Sequence, residues 1–273
     1  MDYFDVPAFN HSCLVDYKFK GLSEFWLRCP FNPNRIEDKN SDALLMGTLL
    51  HQLLLEPEKD KDIVVADYGI SIKNKAYEKV VRENEGKLVV NPDMFSKATK
   101  SIQTLIDSKV WKNLLKDCKI ISREEPIYFD FFAVPCKIKP DMLLQRADGS
   151  YLILDYKSTD DTMKALKWSE TLGYDIESTL YRNGVALHYG VDIDKVDFVF
   201  LFQDKRDDRI ITPVRYSYDH ELYAAEWLKD TLIYLSEKLA EYIKTRDELI
   251  FLQPNNEVLE FLTVDKKLGG IND

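Results

Sequence analysis

Two short apolar runs joined by Ala147-Asp148-Gly149-Ser150 constrain this chain more than any other stretch. Asp-Gly between such runs is a strong hairpin signal, so residues 137–145 are expected to fold back on residues 151–157. Strand alternation then points Ile153, Asp155 and Lys157 to one face. Antiparallel pairing brings Lys139-Pro140-Asp141 alongside them. A symmetric two-residue turn at Asp148-Gly149 would set Asp141 opposite Tyr156, on the wrong face. An odd-length loop or a bulge, which Pro140 tolerates, sets Asp141 beside Asp155 instead.

Two carboxylates and a lysine gathered this way suit a hard cation. Mg²⁺ is commonly held by one or two carboxylates, with water and phosphate completing the shell, and Asp141 and Asp155 fit that role. Lys157 could orient or deprotonate a water and offset phosphate charge. The plainer alternative makes Asp155 and Lys157 an exposed surface pair and Asp141 the start of a strand. Residues 41–56 read as a helix capped by Ser41 or Asp42, with His51 inside a leucine-rich pattern. His51 is either a hydrogen-bonded core residue or a metal ligand delivered by a buried helix. A later helix, at about residues 174–188, carries Glu177 and Tyr181 one turn apart.

Gly47-Thr48-Leu49-Leu50-His51 with Leu54-Leu55-Glu56-Pro57, then Glu125, Pro140-Asp141, Asp155-Tyr156-Lys157 and the helix bearing Tyr181 follow one another in a familiar order. Together they resemble the PD-(D/E)xK nuclease superfamily, and within it the branch of RecE (exonuclease VIII) and RecB-type nuclease domains, over residues 40–205. The resemblance implies an α/β, restriction-endonuclease-like core with a central mixed sheet flanked by helices. It implies that His51, Asp141, Asp155 and the main-chain carbonyl of Tyr156 bind Mg²⁺, with Mn²⁺ able to substitute. Lys157 would activate water, and Tyr181 would position the DNA backbone or Lys157. Glu125 would be the early acidic residue, with the adjacent Glu124 as its alternative. Glu177 stands where the family usually has glutamine, and would repel phosphate if it faced the DNA. Some relatives carry an iron-sulfur cluster built from one N-terminal and three C-terminal cysteines. Cys29-Pro30 resembles the first of these, but no cysteine follows Cys136, so no such cluster is expected.

The activity so implied is a metal-dependent DNA exonuclease acting from the ends of linear duplex in phage-type recombination or DNA processing. A single-strand annealing protein is the expected partner, and a closed homo-oligomer the expected assembly. A structure-specific or single-strand endonuclease of the same fold is the alternative, as is a catalytically inert DNA-binding subunit. Intact Asp141, Asp155 and Lys157 count against the last.

The 273 residues can bury a substantial core, and a single domain with an irregular N-terminal arm (about 1–40) and a C-terminal helical extension (about 219–273) is the simplest organisation. The net charge of −10 argues against indiscriminate binding of nucleic acid and confines any phosphate contact to local cations. Candidates are Lys73, Lys75, Lys79 and Arg82, with Lys137, Lys139, Lys164 and Lys167 nearer the hairpin. Lys73, Lys75 and Lys139, with Glu177, are taken as the DNA-contacting set. No stretch is long enough to span a membrane, and four cysteines without a CxxC pair suit a reducing, cytoplasmic setting. Further helices are expected at about 77–83, 92–115, 162–168 and 219–245, and strands at about 127–132, 136–145, 151–157, 196–202 and 209–216. The apolar stripe of the 219–245 helix is expected to serve core or subunit packing.

Overall fold

The computed structural model describes residues 3–36, 41–167, 169 and 171–252. In chain order the helices are α1 (His11–Lys20), α2 (Leu22–Arg28), α3 (Asp42–Leu55), α4 (Lys75–Glu83), α5 (Pro92–Asp107), α6 (Lys109–Leu115), α7 (Thr162–Lys167), α8 (Tyr174–Tyr189), α9 (Tyr218–Thr245) and α10 (Leu249–Leu252). The strands are β1 (Ile63–Val65), β2 (Leu88–Val90), β3 (Cys118–Arg123), β4 (Ile127–Phe131), β5 (Val134–Ile138), β6 (Met142–Arg146), β7 (Tyr151–Thr159), β8 (Val196–Asp204) and β9 (Ile211–Val214). Residues 253–273 of the expected C-terminal extension, and Trp168, lie outside the described residues.

Five strands form one mixed sheet in the order β3-β6-β7-β8-β9, with β7 and β8 parallel and the other neighbours antiparallel. Because β7 and β8 are apolar on both faces, each face acquires a core of its own. Tyr151 and Ile153 of β7 join Phe198, Phe200 and Phe202 of β8 beneath α1, α2, α8 and α9. Leu152, Leu154 and Tyr156 join Val199 and Leu201 beneath α3 and α5. Burying each such side chain contributes about 1.5–3 kcal/mol before conformational entropy is charged against it.

The β6–β7 hairpin closes through Arg146 N–H to Ser150 O (2.8 Å) and Gly149 N–H to Arg146 O (2.9 Å), leaving a three-residue loop with Gly149 at φ +84°. Pairing then runs Gln145 with Tyr151 up to Met142 with Leu154, and one further step sets Asp141 opposite Asp155. The odd loop is therefore what places both carboxylates on one face.

Four expectations change. The 136–145 run is two strands, because Lys139-Pro140-Asp141 interrupts it; β5 turns away to pair with β4 in a separate hairpin, and only β6 enters the main sheet. An unforeseen edge strand, β3, pairs with β6; its exposed Lys119 and Ile120 blur the alternation that would have marked it. The 92–115 helix divides at Ser108, whose hydroxyl accepts the Trp111 N–H and starts α6. The N-terminal arm is helical and packed: Phe9, Leu14, Phe25 and Trp26 are buried, and Trp26 stacks on Phe251 at 4.0 Å. The α9 stripe, expected to serve core or subunit contacts, is buried in this chain's own core through Leu228, Leu232, Leu235, Leu239 and Tyr242. It leaves no argument from that stripe for an assembly.

Candidate active site

Helix α3 begins at Ser41, whose side chain accepts the Leu44 N–H, and lays Leu45, Leu49, Leu50, Leu54 and Leu55 on the sheet. That packing delivers His51 to the ends of β3, β6 and β7. His51 Nε2 lies 3.1 Å from the carbonyl oxygen of Tyr156. His51 Nδ1 lies 3.5 Å from both Glu124 Oε1 and Asp141 Oδ1. Asp141 Oδ2 accepts the Tyr156 N–H at 2.8 Å, so the second strand of the hairpin locks the carboxylate of the first.

Glu124 reaches this cluster because the chain leaves β3 with Glu124 at φ +52°, its N–H bonded to the carbonyls of Pro140 and Asp141. A left-handed glutamate is uncommon and marks a position fixed by its surroundings. Of the two alternatives for the early acidic residue, Glu124 therefore joins the cluster, whereas Glu125, next along, is exposed and outside it. Lys139 pairs with Glu124 Oε2. Tyr181, half-buried on α8, has its hydroxyl 3.5 Å from the carbonyl of Lys139.

The lysine stands between two acids. Lys157 Nζ donates to Asp155 Oδ1 at 3.0 Å and to Glu177 Oε1 at 3.1 Å. It also lies 5.5 Å from the ring centre of Tyr174 and 5.8 Å from that of Phe200. Glu177 therefore faces the lysine, and its side chain is buried.

Electrostatics follow from this crowding. Burial pushes the carboxyls of Asp141 and Asp155 up to about 7, Asp141 further by Asp155 and Asp155 further by Glu177. Burial opposes charge on His51, but Asp141 and Glu124 outweigh it and raise the imidazole to about 9. Burial likewise opposes charge on Lys157, and Asp155 and Glu177 outweigh it, holding the amine well above its usual range. Lys139 pairs with Glu124, and Lys157 with Asp155 and Glu177, so two ammonium groups face this set of acids.

Such a set fits a divalent ion. Ligand atoms of His51, Glu124 and Asp141 lie within 4.8 Å of one another. Both Asp155 oxygens are held by the Lys157 ammonium, Oδ1 at 3.0 Å and Oδ2 at 2.7 Å, while Glu177 Oε2 is buried without a hydrogen-bond partner among the described residues. Carboxylates crowded and buried in this way gain from an added cation. Of the expected ligands, His51 and Asp141 converge with Glu124, and the Tyr156 carbonyl lies beside His51, whereas Asp155 is outside that group. Asp155 is at present engaged by Lys157, and the Tyr156 carbonyl by His51.

A model of the PDDEXK-like domain of unknown function (DUF3799) matches residues 31–244. The chain belongs to this family. A crystal structure of a protein from Eubacterium rectale, named "Putative exonuclease", superposes with a TM-score of 0.57 at 18% identity, covering 82% of this chain and 77% of that one. It shares the restriction-endonuclease-like fold. A second structure, SSO0001, superposes at a TM-score of 0.27 with 10% identity over 67% of this chain and 82% of its own, and carries no argument. No curated protein matches.

The cleft of this PDDEXK-like protein is lined by Phe4, Leu44, Gly47, Thr48 and Leu172 as well as by His51, Glu124, Lys139 and Lys157. Of the expected DNA contacts, Lys139 lines it and Glu177 lies behind Lys157, whereas Lys73 and Lys75 are exposed around the start of α4 and do not line it. Lys137 points away from the cleft altogether, buried, and donates to the carbonyls of Tyr3 and Val6 at 2.7 Å each. Lys164 and Lys205 do line the cleft; Lys205, from the end of β8, carried no sequence signal because nothing local ties it to the hairpin. Among the described residues no helix is long and apolar enough to cross a membrane.

Proposed function

We propose that this protein is a metal-dependent deoxyribonuclease that hydrolyses phosphodiester bonds from the ends of linear duplex DNA. The observation that carries the reading is the join between His51, Glu124 and Asp141 on one side and Asp155-Lys157-Glu177 on the other, across a single pair of strands. Glu124, Asp141, Asp155 and the Tyr156 carbonyl offer oxygen, which suits Mg²⁺ or Mn²⁺, and His51 adds an imidazole. When bound, such an ion supplies Lewis-acid stabilisation of the charge that grows on the phosphoryl oxygens.

The chain's own groups do the rest. Lys157, kept as an ammonium by two acids, donates rather than accepts: it orients the attacking water and offsets phosphate charge in the transition state. Asp155 turns from Lys157 toward the cation site, freeing one donor for substrate. Tyr181 steadies the Lys139 backbone, and so the chain entering Asp141. Lys139, Lys164 and Lys205 contact the DNA backbone without a strongly basic surface. A place in recombination beside a single-strand annealing protein, as a closed assembly, extends the same reading on the strength of the RecE-like residues around His51.

The test is digestion of end-labelled linear duplex beside a covalently closed circle, in Mg²⁺ and in EDTA. Linear DNA should disappear only in Mg²⁺ while the circle persists. Rapid nicking of the circle would favour the endonuclease of the same fold.

A further inference from the structure

The N-terminal helix lies before the segment that matches the family, yet it touches the catalytic lysine's partner. Its entry is fixed first. Phe9 exchanges backbone hydrogen bonds with β5, Phe9 N–H to Pro135 O at 2.9 Å and Lys137 N–H to Phe9 O at 2.8 Å. The Asn10 side chain then caps α1 by accepting the Cys13 N–H at 3.0 Å. His11 is thereby the first residue of a helix whose origin is anchored to a strand. His11, Val15 and Lys18 are spaced so that they share one face.

All three meet the beginning of α8. His11 Nε2 lies 3.0 Å from the carbonyl oxygen of Gly173, and Lys18 Nζ donates to Asp175 Oδ2 at 3.0 Å. Between them Val15 approaches Gly173 so closely that a Cβ built there would lie 2.4 Å from Val15 Cγ2. Gly173 sits at φ +72° and its carbonyl also accepts the Glu177 N–H at 3.0 Å, so α1 grips the residue that starts the helix carrying Glu177. The other ring nitrogen, His11 Nδ1, lies 3.9 Å from Glu177 Oε1, the oxygen that receives Lys157.

We propose that His11 is a positioning residue for the reaction: it holds the first turn of α8 so that Glu177 presents Oε1 to Lys157. The inference rests on the nuclease reading above. A carbonyl partner requires that Nε2 carry the proton, which leaves Nδ1 a bare lone pair facing the carboxylate. Burial, and after it the Lys157 cation, depresses the imidazole to about 3, so the ring stays neutral and does not compete with Lys157 for Glu177. A cation at the same place would draw Glu177 away. What His11 contributes is therefore a donor to Gly173 and an uncharged neighbour for Glu177.

The experiment compares wild type, His11→Leu and His11→Gln on end-labelled linear duplex with Mn²⁺, alongside melting curves and hydrogen exchange. His11→Leu should lower kcat about tenfold with KM changed less than about twofold, because misplacing a reacting group costs turnover more than binding. The Mn²⁺-induced rise in Tm should persist in that variant. His11→Gln, whose amide can reach the Gly173 carbonyl without adding charge, should recover most of the lost turnover. Exchange of the Glu177 amide should quicken in His11→Leu and not in His11→Gln. Unchanged kcat in a folded His11→Leu, or a glutamine variant as impaired as the leucine one, would overturn the assignment. If His11→Leu does not fold, His11→Gln decides: near wild-type turnover with a protected Glu177 amide upholds it, and low turnover rejects it. Absence of hydrolysis by wild type would instead refute the nuclease reading, and the exchange result alone would then stand for or against the grip on α8.

Discussion

The β6–β7 hairpin and the α1–α8 wall hold the same lysine by different means. On the hairpin side Asp141 and Tyr156 are 15 residues apart, and one three-residue loop sets their register. On the wall side His11 and Gly173 are 162 residues apart and meet only after two helices have packed. A local device fixes which groups face one another. A distant one fixes how firmly, and it can be altered without unmaking the site.

The sharpest way to break that division is at the lysine itself. Lys157→Ala should lower the hydrolysis rate on the order of 10³-fold while leaving the Mn²⁺-induced rise in Tm intact, because the ammonium serves the transition state more than the ground state. His11→Leu should lose far less. If Lys157→Ala cleaved within tenfold of wild type, the hairpin would not be the seat of the chemistry and the contrast with the wall would lapse.

The same division explains what could be read from residues alone. Asp141, Asp155 and Lys157 were legible because strand period and loop parity are local rules, and Pro140 marked where the ladder had to yield. His51 was legible only through its resemblance to a nuclease helix, since a histidine in a leucine-rich pattern reads equally well as core. Glu177 was located but not oriented, because only α8 packing turns it to Lys157 and away from the cleft. His11, Lys205 and the edge strand β3 were not legible: their partners are set by tertiary packing, and the polar face of β3 hides its period. Glu124 against Glu125 lay between these cases. Their order along the chain is silent, and the left-handed turn at Glu124 decides it.

That junction gives the next largest effect. Glu124→Gln should weaken Mn²⁺ binding about 10–100-fold, the usual cost of losing a ligand or its close support, with Glu125→Gln unchanged. Calorimetric titration of both variants checks this. Equal losses, or a loss only at Glu125, would move the cation site off the cluster and detach it from the end of β3.

The smallest effect is in pH, where the two regions should pull in opposite directions. Asp141 and Asp155, raised to about 7 in the folded chain against about 3.9 unfolded, bind protons that the unfolded chain has already released. Their contribution is therefore present in acid and lost as pH climbs through 7; His51, raised to about 9, acts in the same sense. His11, lowered to about 3 from about 6.5, refuses a proton that the unfolded chain accepts, so its contribution is present above 6.5 and lost as pH falls. Without metal, Asp141→Asn should flatten the fall in Tm that its carboxyl causes between about pH 4 and 7 by a few degrees, and His11→Gln should flatten the opposing rise in Tm between about pH 3 and 6.5 by a similar amount. Mn²⁺ should erase the first effect and not the second, since ligands must be deprotonated to bind it and the metal-induced rise in Tm should grow from pH 6 to 8. Should Asp141→Asn instead steepen that fall below pH 7, the carboxylates would be ionised in the folded protein without metal, and the crowding of charge on the hairpin would have to be relieved by something other than protons.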